Sequence, residues 1–134
     1  MPDPTSSVLA DRLHEHARAA GEHLTGIAAD TLPGPTIPAP SLLPILARLE
    51  ELTDTLDRTL RQLGGSVLLG ASVPEVDDYD RHADPGHTAQ RAADRLDDAA
   101  TFAYRTSLMI ASAHAQITGL RYAADPDGTV GANR

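Results

Sequence analysis

The hydrophobic pattern is clearest in the last part of the chain, at residues 85–124. Apolar or small residues recur there at alternating steps of three and four, at Ala89, Ala92, Leu96, Ala99, Ala103, Thr106, Ile110, Ala113, Ile117, Leu120 and Ala124. This spacing is the a/d repeat of a helix that packs lengthwise on other helices. Because no proline interrupts the repeat, it predicts one long C-terminal helix, about 55 Å in length at a rise of ~1.5 Å per residue.

Two further helices are predicted upstream, at about residues 4–29 and 42–63. The first has one apolar face, formed by Leu9, Leu13, Ala20, Leu24 and Ile27. The second has the strongest amphipathic pattern, formed by Leu42, Ile45, Leu49, Leu52, Leu56, Thr59 and Leu63, with Leu46 and Leu60 widening it. We expect Leu49 and Leu52 to be buried against the C-terminal helix, so that changing either to Ala would cost roughly 2–5 kcal/mol.

The segments between these helices are predicted to be connections. Residues 31–40 hold four prolines, which favours an extended linker because proline lacks the N–H that a helix interior requires. Gly64 and Gly65 predict the end of the second helix. An acidic connector is then expected over residues 64–84.

The last helix has its own start and stop signals. Asp84 and Pro85 match an N-cap residue followed by proline at the first helical position, and Pro126 ends the pattern. The small, polar residues 125–134 are predicted to be a flexible tail. Residues 1–124 are therefore expected to form a single all-α domain, a three-helix antiparallel bundle with a long C-terminal helix.

A second apolar stripe follows the predicted long helix, on the side opposite the first. We call it the tyrosine stripe, and it consists of Tyr104, Leu108, Ala111, Ala115 and Tyr122. A helix with two apolar faces lies either inside its own bundle or against another chain. Since only two other helices are available to cover it, we expect this stripe to be an interface with a protein partner or with a second copy of the chain.

Composition and charge narrow the classes of function. The formal net charge is -8, from 19 acidic and 11 basic residues. All of the bases are arginine, a usage typical of a GC-rich bacterial genome. An acidic chain without a basic stripe is a poor ligand for nucleic acid and for anionic membranes. The chain has no cysteine, no apolar run of ~20 residues and no secretory signal, so a cytoplasmic location is expected.

Histidine and carboxylate side chains are the candidate metal ligands of this chain. His16 and His23 are seven residues apart, which places them ~10 Å apart along a helix axis and too far apart to chelate one ion. The Glu-x-x-His pairs of di-metal bundles are missing, with Asp11 and His14 the nearest approach. The acidic residues 78–84 lack the Gly and Glu of a calcium-binding loop of the EF-hand type. No metal or other cofactor is therefore expected, although a metal- or small-molecule-binding bundle stays an alternative.

One short motif suggests catalysis. Arg81, His82 and His87 together resemble the Arg-x4-6-His motif of the HEPN-type helical ribonucleases, in which a polar residue often follows the arginine. The resemblance covers seven residues. It implies that His87 would move a proton and that Arg81 would steady a phosphate. A HEPN-like protein that cleaves or binds RNA is thus one alternative to the main prediction, a non-enzymatic helical interaction module.

Overall fold

The computed structural model describes residues 4–31, 37–71 and 84–124. Within these ranges it contains three helices and no strand. The helices are α1 (Pro4–Thr31), α2 (Ala39–Ala71) and α3 (Pro85–Ala124). The predicted all-α class is confirmed, and so is the long C-terminal helix, which has 40 residues.

The chain separates into two compact units, Met1–Thr36 and Ile37–Arg134. The first unit holds α1, whose predicted apolar residues are all exposed. On this helix Arg18 forms ion pairs of 2.5 Å with both Glu15 and Glu22. The hydrogen bond from Arg18 holds the pKa of Glu15 below its usual value. The place of α1 in a three-helix bundle stays a prediction.

The second unit is an antiparallel pair of helices, α2 and α3, which pack closely on each other. Two polar contacts define their direction. Arg61 on α2 pairs with Asp97 on α3, and Ser107 on α3 donates a hydrogen bond of 2.5 Å to Asp54 on α2. From the first contact to the second, the residue number falls from 61 to 54 on α2 and rises from 97 to 107 on α3. The two helices therefore run in opposite directions.

The seam between α2 and α3 is made largely of small side chains. Its residues on α3 follow a strict heptad, at Ala89, Ala93, Leu96, Ala100, Ala103, Ser107, Ile110, His114 and Ile117, and all of them are buried or half-buried. Ala100 has no exposed surface at all. Within the described residues no large side chain is fully buried. Small contact residues therefore let the two helices approach closely, while large apolar residues such as Leu52, Leu56 and Leu108 stay exposed.

The predicted stripe on α3 is wrong at Ala92, Ala99, Thr106 and Leu120, whereas its other described members are buried or half-buried. Ala92, Ala99 and Thr106 are exposed, whereas the next residues along the chain, Ala93, Ala100 and Ser107, lie in the seam. Both registers offer small residues at these positions, so hydrophobicity alone did not distinguish them.

On α2 the predicted burial is wrong at Leu52 and Leu56, whereas the half-buried leucines of the predicted stripe are Leu42, Leu46, Leu49 and Leu60. Leu52 is 38% exposed and Leu56 is 44% exposed, while Leu49 is half-buried. Besides Leu60, which belongs to the predicted stripe, the residues of α2 that turn toward α3 are Thr53, Asp57, Gly64 and Val67, which are buried or half-buried. These positions repeat at steps of three and four as well. Among the described residues of α2, Gly64 is the one that is buried rather than half-buried, and its lack of a side chain lets α2 approach α3 closely.

Helix α2 is longer than predicted at both ends. It begins at Ala39 and includes Pro40, so part of the predicted linker is helical. It also continues through Gly64 and Gly65 to Ala71, and no described glycine has a positive φ. Packing against α3 overrides the low helix propensity of glycine here. Residues 32–36 of the predicted linker and 72–83 of the predicted acidic connector lie outside the described residues.

The predicted start of α3 is confirmed. The Asp84 carboxylate accepts a hydrogen bond of 3.1 Å from the backbone N–H of Gly86, and the Asp84 carbonyl accepts one from the N–H of Thr88. Pro85 is the first helical residue, where its missing N–H costs no hydrogen bond. The predicted tail, residues 125–134, lies outside the described residues.

Candidate interaction surfaces

The Arg61–Asp97 ion pair divides the α2–α3 hairpin into two sides. We call the side that carries this pair the acidic side. Besides Asp97 it carries four more carboxylates close to the seam, those of Glu50, Asp54, Asp57 and Asp94. Arg61 pairs with Asp57 at 2.9 Å as well as with Asp97. The acidic side is therefore polar, and its carboxylates outnumber its bases.

The tyrosine stripe lies on this same acidic side of α3. Tyr104 and Leu108 are 49% and 53% exposed, Ala115 is exposed and Ala111 is half-buried. Tyr122 belongs to α3, but its side chain lies outside the described residues. Four of the five predicted interface residues thus share one side of α3. Their role as an interface stays a prediction.

The opposite side of the hairpin carries large apolar residues on α2. We call this surface the leucine face, and it consists of Ile45, Leu49, Leu52, Leu56 and Leu63. At 3.6 residues per turn these positions lie about 120–180° around α2 from Arg61. All of them are exposed or half-buried. The residues that the sequence predicts as the bundle seam of α2 are therefore largely an outer surface of this hairpin.

Helix α3 contributes a wall of small residues beside the leucine face. Ala99, Thr106 and Ile110 lie about 140–180° around α3 from Asp97, hence on the side of the hairpin away from the ion pair. Ala99 and Thr106 are exposed and Ile110 is half-buried. The leucine face and this wall thus lie on the same side of the hairpin, and we call the two together the leucine groove.

One contact that positions these surfaces was missed in the sequence. Ser107 is buried in the seam, and its hydroxyl donates a hydrogen bond to the Asp54 carboxylate. A buried hydroxyl needs a partner, and Asp54 supplies it from α2. The heptad step from Ala100 and Ala103 to Ser107 is the signal that could have placed this residue in the seam.

Histidines and carboxylates form no metal centre in the described part of the chain. No group of three or more residues with His, Asp or Glu side chains is arranged there to hold an ion. His16 and His23 are both exposed on α1, and Asp11 and His14 are exposed on the same helix. The loop considered for calcium lies outside the described residues except for Asp84, which caps α3.

The structure leaves the predicted Arg–His motif undecided, because Arg81 and His82 lie outside the described residues. His87 is in the first turn of α3 and is exposed. No side-chain hydrogen bond or ion pair is described for His87 that would orient it as a general base. The described residues therefore show no catalytic arrangement for this motif.

Across residues 4–31, 37–71 and 84–124, no helical segment combines the length and hydropathy that a bilayer crossing requires. The chain has no match among protein-family models, curated proteins or solved structures.

Proposed function

We propose that this chain is a non-enzymatic helical interaction module, which associates with itself or joins a larger protein assembly. One observation carries the proposal. The α2–α3 hairpin buries mainly alanine, serine and glycine in its seam and leaves large apolar residues such as Leu56, Leu63 and Leu108 at 41–53% exposure. Clustered apolar surface of this kind on a soluble chain is typical of a contact site.

Protein partners suit these surfaces better than nucleic acid or lipid. The net charge of -8 disfavours the phosphate contacts that dominate nucleic-acid binding, and it repels anionic lipid headgroups. Apolar helix faces are buried well by another helix, which fills a groove with side chains at steps of three and four. The occupant we propose is therefore an apolar helical surface of a protein.

We also propose that the module works in the bacterial cytoplasm. Exclusive use of arginine as the basic residue supports a bacterial source, and the absence of cysteine suits a reducing compartment. Fractionation of the producing cell tests this point, with recovery in the cytoplasmic fraction expected and recovery in the culture medium contradicting it.

Position-specific photo-crosslinking in the producing cell tests the proposed function. A photoreactive amino acid replaces Leu56 in the leucine groove or Leu108 in the tyrosine stripe. Asp98, whose side chain is 64% exposed, is the control position. We expect discrete protein adducts from at least one of the two leucine positions and none from Asp98, because apolar faces are the contact surfaces. Absence of adducts at both leucine positions would contradict the proposal.

A further inference from the structure

We infer that the leucine groove binds a second copy of this chain, groove against groove. The inference rests on the proposed function and deepens it, because it names the surface and its occupant. Such a contact is isologous, since the same patch is used by both copies. Two hairpins joined in this way form a four-helix bundle, in which the leucines of one copy pack on the leucines and small wall residues of the other.

The charge distribution selects this surface for contact between copies. Each copy carries a net charge of -8, so two copies repel each other wherever carboxylates would meet. Five carboxylates lie along the acidic side, beside the tyrosine stripe. The leucine face and its α3 wall contain no Asp or Glu. Two acidic chains therefore meet through the leucine groove without placing like charges in contact.

The spacing of the leucine face also suits a helical partner. Its members repeat at steps of four, three, four and seven residues. The polar residue Thr59 occupies the position that would divide the step of seven into three and four. This heptad is the signature of a helix seam. Within the α2–α3 unit the seam with α3 uses a different set of α2 positions, which include Leu60 and Gly64. The leucine face is therefore an apolar repeat distinct from the seam, with Thr59 as its one polar position.

The size of the groove fits a modest dimer. Ile45 and Leu63 are separated by about 27 Å along the helix axis. Two helices side by side present a face roughly 20 Å wide, twice the ~10 Å diameter of one helix. Two copies would thus bury about 1,000 Å² in total, which is close to the lower limit for a specific interface. We expect a dimer whose population depends on protein concentration.

Light scattering on three purified full-length chains tests this inference. Leu56→Glu places a charge in the leucine groove, and Leu108→Glu places the same charge in the tyrosine stripe on the other side. We expect the wild type and Leu108→Glu to form dimers. Leu56→Glu should raise the dissociation constant at least about tenfold, as loss of a central apolar contact does. Leu52→Glu is a second groove variant and should behave like Leu56→Glu, and circular dichroism checks helix content in every chain.

The other outcomes overturn the inference in distinguishable ways. If Leu108→Glu dissociates the dimer and the groove variants do not, the second copy sits on the tyrosine stripe, while the proposed function stands. If the wild type is monomeric at all concentrations, the occupant of the groove is not a second copy, and the crosslinking experiment alone decides the proposed function. If both groove variants lose their helical signal, the leucine face is internal core and no docking groove exists.

Discussion

At the scale of single residues, Gly64 shows how closely α2 approaches α3. A Cβ built on Gly64 would lie 3.6 Å from the Ala93 carbonyl oxygen and 3.7 Å from the Leu96 Cβ. These distances leave room for a methyl group and for nothing larger. A Cβ built on the adjacent Gly65 would meet no atom within 4 Å. The two neighbouring glycines thus differ sharply in the size of side chain that each position can accept, and they form a matched pair for mutation.

Substitutions at this pair measure the approach of the two helices. Gly64→Ala and Gly65→Ala should each stabilise the chain by up to ~1 kcal/mol, because alanine favours the helix. Gly64→Leu should instead destabilise it by about 1–3 kcal/mol through overpacking, whereas Gly65→Leu should not. Urea denaturation gives the free energies of unfolding. Equal stabilities for the two leucine variants would mean that α2 and α3 are not in contact at Gly64.

At the scale of the elements, the sequence predicts the existence of the helices better than their facing sides. Asp84 and Pro85 correctly predict the start of α3, because capping is a local interaction. The sequence predicts that the leucine stripe of α2 faces α3, because these leucines form the most hydrophobic helix face in the chain. In the structure α2 instead turns Thr53, Asp57 and Gly64 toward α3. Which face of a helix meets which neighbour depends on tertiary packing, and local sequence rules do not contain that information.

Neighbouring alanines on α3 test the observed register. Ala100 is fully buried in the seam and Ala99 is exposed on the groove wall. Ala100→Leu should destabilise the hairpin by about 1–3 kcal/mol, because a close-packed seam has no space for three more carbon atoms. Ala99→Leu should change the free energy of unfolding by less than about 0.5 kcal/mol in the monomer. The reverse order would show that the register predicted from the sequence is right.

At the scale of the whole molecule, the α2–α3 hairpin separates its two chemistries. Carboxylates and the Arg61 ion pairs lie on one side, and the leucine face lies on the other. The sequence predicts an interface on the tyrosine stripe, which stays a prediction, and it assigns the leucines of α2 to the core. The leucine groove became visible only when the structure showed which side of α2 meets α3.

Salt dependence of self-association is the most direct test of this account. Sedimentation equilibrium of the wild-type chain measures the dimer dissociation constant at about 0.1 M and about 1 M NaCl, over which the Debye length falls from ~10 Å to ~3 Å. A groove free of carboxylates predicts a dissociation constant that stays constant or falls, because salt screens the repulsion between two chains of net charge -8. Dissociation of the dimer in 1 M NaCl, or a chain that is monomeric at both concentrations of salt, would contradict the account.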